Sequence, residues 1–170
     1  MKVRGHTTRS AVRVAHRPGN NSVTHSRIGG MGACHVTTDP AKIDKELVHG
    51  FLSQSYWAKG IPREVFERAI ANSLCFSLFD GDAQVGFARV ATDRATFAYL
   101  ADVFVLPAHR GHGLSKLLME TIVAHPELQG LRRWVLVTRD AHGLYARYGF
   151  TPLAKVDGYM ERWDPEVYQR

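Results

Sequence analysis

Apolar residues recur along the chain with two different periods, and the changes of period mark the predicted elements. After Asp39-Pro40, and again after Pro62, the apolar residues are spaced as on one face of a helix. Aspartate as a cap and proline at the first helical position are typical of helix starts. Each of the two helices is expected to bury one face. The stripe of the first consists of Ile43, Leu47, Val48 and Phe51. The stripe of the second consists of Val65, Phe66, Ala69 and Ile70.

Strands are predicted where short apolar runs are bounded by turn residues. Residues 74–79 and 85–91 flank Asp80-Gly81-Asp82, whose composition is typical of a hairpin turn. Residues 34–37 are a further short candidate strand. A second turn over residues 92–94 leads out of the hairpin.

The strand that follows, residues 97–106, is apolar on both faces. Such a pattern is typical of a central strand covered on both sides. Its two faces are expected to carry Leu100 and Phe104 on one side and Tyr99, Val103 and Val105 on the other.

The remaining elements alternate between helix and strand. Apolar spacing after Gly113 predicts a long helix, and residues 133–138 form another buried strand. A short helix capped by Asp140 follows, and residues 150–153 and 159–163 are interpreted as a final hairpin. The order of elements predicts one mixed α/β domain that begins near residue 31.

The formal net charge of +6 comes entirely from the first thirty residues, which hold six basic residues and no acid. Residues 31–170 contain 16 residues of each sign. The basic segment is rich in Ser, Thr, Asn, Gly and His, lacks periodic apolar residues, and is predicted to be disordered. We interpret it as an extension upstream of a domain that starts at Met31. A transit-like peptide and a nucleic-acid-binding arm are the alternatives.

The composition narrows the functional class. With 45% hydrophobic and 22% charged residues the chain is typical of a soluble globular protein. No run approaches the roughly 18 apolar residues of a membrane span, and Cys34 and Cys75 form neither a disulfide framework nor a metal pattern. We therefore expect a cytoplasmic monomer or homodimer with no metal, no nucleic-acid partner and no membrane association.

One stretch, residues 101–116, has the chemistry of an anion site. A buried strand stops at Pro107, and a turn containing Gly111 and Gly113 leads into a helix N-terminus. The first amides of a helix lack partners and favour negative charge, and glycines let a ligand approach the backbone closely. Arg110 adds a cation suited to phosphate. The stretch predicts a diphosphate site, although it lacks the Walker sequence and the third glycine of the dinucleotide fingerprint.

The same stretch resembles the acetyl-coenzyme A signature of the GNAT acetyltransferase superfamily. That signature is Arg/Gln-x-x-Gly-x-Gly/Ala, after a strand that ends in a hydrophobic-Pro turn. Arg110, Gly113 and Ser115 match it, with Ser115 standing where glycine or alanine is usual. The order of elements over residues 32–165 also resembles that family.

The resemblance implies the fold and the co-substrate. It implies a central, largely antiparallel sheet with helices on both faces, in which two strands splay apart into an acetyl-CoA-binding wedge. The main chain of Val103, Phe104 and Val105 would bind the pantetheine and acetyl groups. The diphosphate would lie on Arg110, Gly111, His112, Gly113, Leu114, Ser115 and Lys116.

Residues 144–150, LYARYGF, resemble a second family motif, L-Y-x-x-x-G-F. In many members its tyrosine protonates the departing thiolate, so the resemblance implies that Tyr145 is a general acid. The alternative is that Tyr145 only packs in an amphipathic helix. Tyr148 is interpreted as structural.

A general base is harder to identify. Where many relatives carry Glu before an Asp on the central strand, this chain has Ala101, which leaves Asp102 as the candidate. A carboxylate within an apolar strand is more often paired with a buried arginine, and a water chain is a third possibility. His109 and His112, without a third ligand, are expected to donate hydrogen bonds or face solvent.

Together these observations predict an acetyl-CoA-dependent N-acetyltransferase that acts by direct attack in a ternary complex. The alternative is a catalytically inactive acyl-CoA-binding sensor or scaffold. Tyr56 and Trp57, between the first two helices, either plug the core or line the acceptor site. The acceptor is expected to be a small-molecule or peptide amine, and its identity stays open between arylalkylamines, polyamines, amino acids, antibiotics and protein N-termini.

Overall fold

The computed structural model describes residues 33–169 with their side chains and Ser22–His25 by backbone alone. Six strands and four α-helices lie in this part of the chain. The strands are β1 (Ser22–His25), β2 (Cys34–Thr37), β3 (Leu74–Asp80), β4 (Ala83–Thr92), β5 (Phe97–Val105) and β6 (Arg133–Val135). The helices are α1 (Lys45–Gln54), α2 (Arg63–Ala71), α3 (Leu114–Val123) and α4 (His142–Ala146).

The strands form one sheet in chain order, β1 to β6. All neighbouring pairs are antiparallel except β5 and β6, which are parallel. Helix α3 packs on one face against β2, β3 and β5, and α1 packs against β4. Because Leu118 and Val48 belong to separate buried clusters, the sheet is covered on both faces. This is the mixed, largely antiparallel architecture that the sequence predicted.

Two successive aspartates set the start of the first helix. The Asp39 carboxylate accepts a hydrogen bond from the Ala41 amide at 2.9 Å and caps a single 3-10 turn. Asp44 then accepts from the Leu47 amide at 3.0 Å and caps α1. The helix therefore begins five residues later than Pro40 suggested, since Asp44 supplies the cap that the longer helix requires.

Strand β5 contains a bulge, where one extra residue lies between two positions that pair with β4. Arg89 lies opposite Ala101, but Phe87 lies opposite Phe104, so two steps on β4 match three on β5. Asp102 has a φ of 56°, in the left-handed region. The bulge inverts the alternation of side chains, and Leu100 and Phe104 consequently belong to opposite faces. The predicted shared face of these two residues is wrong, because an extra residue shifts the period of two.

The predicted final hairpin is wrong. Strand β6 ends at Val135, three residues earlier than predicted, and no strand follows it within the described residues. The segment 150–169 is irregular apart from two 3-10 turns, and most of its large apolar side chains are exposed, Met160 to 99%. A three-residue strand offers little edge for pairing, and Pro152 has no amide to donate.

Strand β1 lies within the segment that was predicted to be disordered. Ser22–His25 pairs antiparallel with Cys34–Thr37, so for these four residues the prediction is wrong. The free edge of β2 offers backbone donors and acceptors that an extended segment can pair with. The rest of the basic segment lies outside the described residues. No helix in the described part is long and apolar enough to cross a membrane.

Candidate functional site

The open side of β5 forms the centre of the candidate site. Strand β6 pairs with β5 only from Phe97 to Tyr99, and Tyr99 lies opposite Val135. Strand β5 continues to Val105 while the chain after Val135 leaves the sheet. The two strands therefore splay apart into a wedge. The β5 side of the wedge is formed by Val103, Phe104 and Val105. The side chains of Phe104 and Val105 are buried.

The loop before α3 presents a row of free backbone amides. In the part of the chain that the structure describes, no protein oxygen accepts a hydrogen bond from the amides of residues 111–115. The Gly113 carbonyl instead accepts from the Lys116 and Leu117 amides, at 3.0 and 3.1 Å. Gly111 and Gly113 have φ of 82° and 77°, which only glycine adopts readily. The loop is thus shaped to bind an anion.

The side chains of this loop differ in what they offer. Arg110 is exposed, and its Nε donates a hydrogen bond to the Val105 carbonyl at 2.9 Å, which ties the loop to the end of β5. His112 and Lys116 are exposed, whereas the Leu114 side chain is buried under α3. Leu114 can therefore meet a ligand only through its backbone.

Tyr145 lies on α4 with 8% of its surface exposed. Its ring packs edge-on against Phe150 at 6.0 Å, and its carbonyl accepts from the Phe150 amide. Among residues 33–169, none hydrogen-bonds to its hydroxyl. Burial, followed by the nearby Tyr56 and Asp140, raises the pKa of Tyr145 to about 12. The phenol is consequently protonated at neutral pH and available as a proton donor.

Tyr148 has a different environment from Tyr145. Its hydroxyl donates to the Lys116 carbonyl at 3.3 Å and joins the segment after α4 to the first turn of α3. This contact agrees with the structural role predicted for Tyr148.

Asp102 forms an ion pair. Its Oδ2 accepts from Arg89 Nε at 2.6 Å, and Arg89 Nη1 also donates to Ser73 Oγ at 3.2 Å. The side chains of Asp102 and Arg89 are only 12% and 19% exposed. The expected pairing of this carboxylate with a buried arginine is confirmed. Arg89 is a functional candidate that sequence reasoning missed, although a lone charge within the apolar run 85–91 signalled it.

The Asp102–Arg89 pair lies on the face of the sheet that α1 and α2 cover. Cys75, on β3 opposite Arg89, is buried, and this burial raises the pKa of its thiol to about 12. Burial and then the Asp102 charge raise the pKa of Tyr99. Both groups are therefore neutral at physiological pH.

Tyr56 and Trp57 lie between α1 and α2 and are 50% and 41% exposed, so neither is a core plug. Their rings meet edge-on at 4.9 Å. The Tyr56 hydroxyl accepts from the Arg139 amide at 3.3 Å, and the Arg139 guanidinium lies 4.0 Å above the Tyr56 ring. The α1–α2 connection thus reaches the segment after β6. Arg139 was also missed, because nothing in the sequence links residues 83 positions apart.

An aromatic stack continues this surface towards β5. The Phe51 ring stacks on Phe104 with centroids 3.8 Å apart, and Trp57 lies 6.4 Å from Phe51.

Within the described residues, no three His, Cys, Asp or Glu side chains are grouped as a metal site.

Comparisons with known proteins agree with this geometry. A family model described as an acetyltransferase (GNAT) domain matches residues 71–152. A Gibberella zeae protein, provisionally named an acetyltransferase, is 31% identical in a match that covers 72% of this chain and 82% of that protein. A Xanthomonas campestris crystal structure assigned to the GNAT family is 57% identical, with a TM-score of 0.80 over 83% of this chain and 100% of that chain.

A Clostridium acetobutylicum structure, assigned as an acetyltransferase and solved with acetyl-CoA, matches with a TM-score of 0.57. It covers 76% of this chain and 95% of its own. Because only 16% of its residues are identical, this likeness shows the fold alone.

Proposed function

The chain belongs to the GNAT acetyltransferase family, and on that premise we propose that it transfers an acetyl group from acetyl-CoA to a primary amine. The transfer is direct, in a ternary complex. The observation that carries the proposal is the combination of the wedge beside β5 with the row of free amides before α3. One element supplies backbone partners for an extended arm, and the other supplies donors for a diphosphate at the end of that arm.

The binding half of the mechanism follows from these two elements. The unpaired side of β5, from Val103 to Val105, offers main-chain groups that pair with pantetheine as another strand would. The amides of residues 111–115 and the charges of Arg110 and Lys116 receive the diphosphate. The presence of acetyl-CoA in the Clostridium structure, which shares this fold, supports this proposed role.

The chemical half assigns a proton donor. The acceptor nitrogen, once neutral, attacks the thioester carbonyl, so that a C–N bond forms and the C–S bond breaks. The leaving sulfur needs a proton, which the Tyr145 hydroxyl supplies. The nitrogen's own proton leaves to water. The Tyr145 phenol holds this proton at neutral pH, and burial raises its pKa further, to about 12.

Tyr56 and Trp57 are proposed to line the acceptor side. They are exposed aromatic surfaces next to Arg139, and the Tyr56 phenol acts on the pKa of Tyr145. An acceptor that reaches the wedge from the α1–α2 side would pass them. The acceptor is therefore proposed to be a small amine or peptide that presents an apolar surface beside its nitrogen.

One observation favours a second candidate, an acyl-CoA-binding module without turnover. Ala101 stands where many relatives carry an acid, and the neighbouring Asp102 is engaged by Arg89. Such a module would bind acetyl-CoA as tightly as an enzyme but transfer nothing.

The test combines binding with turnover. Acetyl-CoA is expected to raise the melting temperature of the protein by mass action, and a panel of amines with free-thiol detection measures turnover. Absence of acetyl-CoA binding would refute the proposal. Binding with no thiol release across arylalkylamines, polyamines, amino acids and peptides would favour the module without turnover.

A pair of glycine variants makes the binding test specific. Gly113 and Gly130 both have positive φ, 77° and 71°, and a Cβ at either place meets nothing within 4 Å. Gly113→Val and Gly130→Val should therefore cost similar backbone strain. Gly113→Val is expected to abolish the acetyl-CoA-dependent rise in melting temperature, because the row of amides is displaced. Gly130→Val should retain it, and equal loss in both variants would contradict the assigned loop.

A further inference from the structure

The bulge at Asp102 lies on the part of β5 that lines the wedge, three residues beyond the last pair between β5 and β6. From Phe97 to Tyr99, β5 lies opposite β6, and from Leu100 to Val105 it pairs with β4 alone and forms one side of the wedge. β-Bulges commonly re-aim side chains and end pairing beside active sites. The conformation of this single residue therefore bears on the geometry of everything downstream on β5.

The left-handed conformation of Asp102 requires support. A φ of 56° is uncommon for residues other than glycine, and aspartate and asparagine tolerate it better than most side chains. Arg89 provides the support through its 2.6 Å bond to the Asp102 carboxylate. Arg89 is itself fixed, because it lies on β4 and donates to Ser73 at the start of β3.

The contacts beyond the bulge depend on the inverted alternation. Phe104 faces α1 and stacks on Phe51, whereas the Val105 carbonyl accepts from Arg110 of the phosphate-binding loop. On β4, the position opposite Val105 is Gly86, and the lack of a side chain there permits this register. A Cβ on Gly86 would lie 2.7 Å from the Phe104 carbonyl oxygen. Without the bulge, Phe104 and Val105 would exchange faces and both contacts would be lost.

We infer that Asp102 is a positioning residue that, paired with Arg89, locks the β5 bulge and so aligns residues 103–105 with the phosphate-binding loop. It does not serve as the general base. Its carboxylate is held by Arg89 at 2.6 Å and is only 12% exposed, which opposes the base role. This inference rests on the proposed binding of acetyl-CoA along β5.

Three substitutions separate the two roles. Asp102→Asn removes the charge but keeps an acceptor for Arg89 and tolerates positive φ. Asp102→Gly removes the carboxylate but permits the left-handed conformation, whereas Asp102→Val removes the carboxylate and strongly disfavours that conformation. Asp102→Ala is the milder substitute if the valine variant does not fold. Each variant is assayed for acetyl-CoA affinity by calorimetry and for single-turnover acetyl transfer.

A positioning role predicts a graded series. Asp102→Asn should bind acetyl-CoA and react within about threefold of wild type, since asparagine is suited to the same conformation. Asp102→Val should react at least about tenfold more slowly than Asp102→Gly and bind acetyl-CoA more weakly, because misplacement of about 1 Å is costly in rate. Rescue by glycine is an effect that a proton acceptor cannot show.

Substitution of Arg89 tests the pairing with Asp102 independently. Arg89→Met should weaken acetyl-CoA binding in wild type but have a smaller effect in the Asp102→Gly background, where the pair no longer exists. Strictly additive effects would overturn the inference.

The other outcomes are equally decisive. If Asn, Gly and Val at position 102 all bind acetyl-CoA normally and all lose transfer to the same extent, Asp102 is the base and the inference is wrong. If all three bind and react as wild type does, the bulge does not need this residue. Failure of the wild-type protein itself to bind acetyl-CoA would instead refute the proposed function.

Discussion

At the scale of the residue, the chemistry of the candidate site depends on the burial and the hydrogen-bond partners of two titratable side chains. Tyr145 is nearly buried and remains a neutral phenol, whereas Asp102 keeps a guanidinium partner. The two groups differ in their partners, because none of residues 33–169 hydrogen-bonds to the Tyr145 hydroxyl, whereas the Asp102 carboxylate accepts from Arg89. One is available to donate a proton and the other is engaged as a charge.

Tyr145→Phe tests the proposed proton donor. The substitution removes only the hydroxyl and keeps the ring that packs on Phe150, so the fold and acetyl-CoA binding should be preserved. Loss of a positioned general acid typically costs about 10²–10⁴ in rate. Single-turnover transfer is therefore expected to slow at least about a hundredfold.

Tyr148→Phe is the matched control. It removes a hydroxyl on the same segment that only contacts the Lys116 carbonyl, so the rate should change little. Wild-type rates from Tyr145→Phe would mean that solvent or another group protonates the sulfur.

At the scale of the element, the turn between β4 and β5 shows how one side chain organises a strand connection. The Asp93 carboxylate accepts from the amides of Ala95, Thr96 and Phe97 and from the Thr96 hydroxyl. These bonds favour the charged carboxylate and hold its pKa well below the usual range, the Thr96 hydroxyl contributing most. The turn fixes the register in which β5 enters the sheet.

The Asp93 turn gives a pH-dependent prediction. A depressed native pKa means that the stabilisation is complete above the unfolded pKa of about 3.9 and is lost as the pH falls through the native value. Asp93→Ala should therefore lower the melting temperature at pH 7, and the gap to wild type should narrow steadily below about pH 4.

Asp93→Asn retains an acceptor and should lose less than the alanine variant at pH 7. A gap between wild type and Asp93→Ala that is independent of pH would show that the carboxylate charge is irrelevant to the turn. Thermal melts from pH 3 to pH 7, on the order of one pH unit apart, measure the difference in melting temperature between wild type and each variant.

At the scale of the whole molecule, two buried clusters on opposite faces of one sheet hold the described domain together. All their members lie from Cys34 onwards. Strand β1 adds only an edge pairing with β2. The Xanthomonas structure, matched over its full length, aligns with 83% of this chain. The packed domain is therefore expected to depend little on the residues before Met31.

A chain that begins at Met31 tests this expectation. It loses β1 but no member of either cluster, so it should unfold cooperatively within about 5 °C of the full chain. Acetyl-CoA affinity should be unchanged. A larger loss of melting temperature, measured by calorimetry, would show that the β1–β2 pairing contributes more than an edge.

The sequence by itself determined the turns, loops and helix starts that depend on interactions between residues close together in the chain. The Asp80–Asp82 turn, the glycine loop before α3, the helix behind Pro62 and the place of Tyr145 on a short helix could all be predicted. In each case the deciding interactions span a few positions, such as a glycine with positive φ or a proline at a helix start.

Only the tertiary structure decided the features that depend on distant partners. Asp102 in the bulge accepts from Arg89 of another strand, and the Tyr56 hydroxyl accepts from the Arg139 amide, 83 positions away in the chain. Residues 150–153 and 159–163 were interpreted as a hairpin, but a strand exists only where another strand offers a paired edge. Side-chain periodicity fixes which residues prefer burial, whereas register, bulges and edge pairing follow from contacts between segments far apart in the chain.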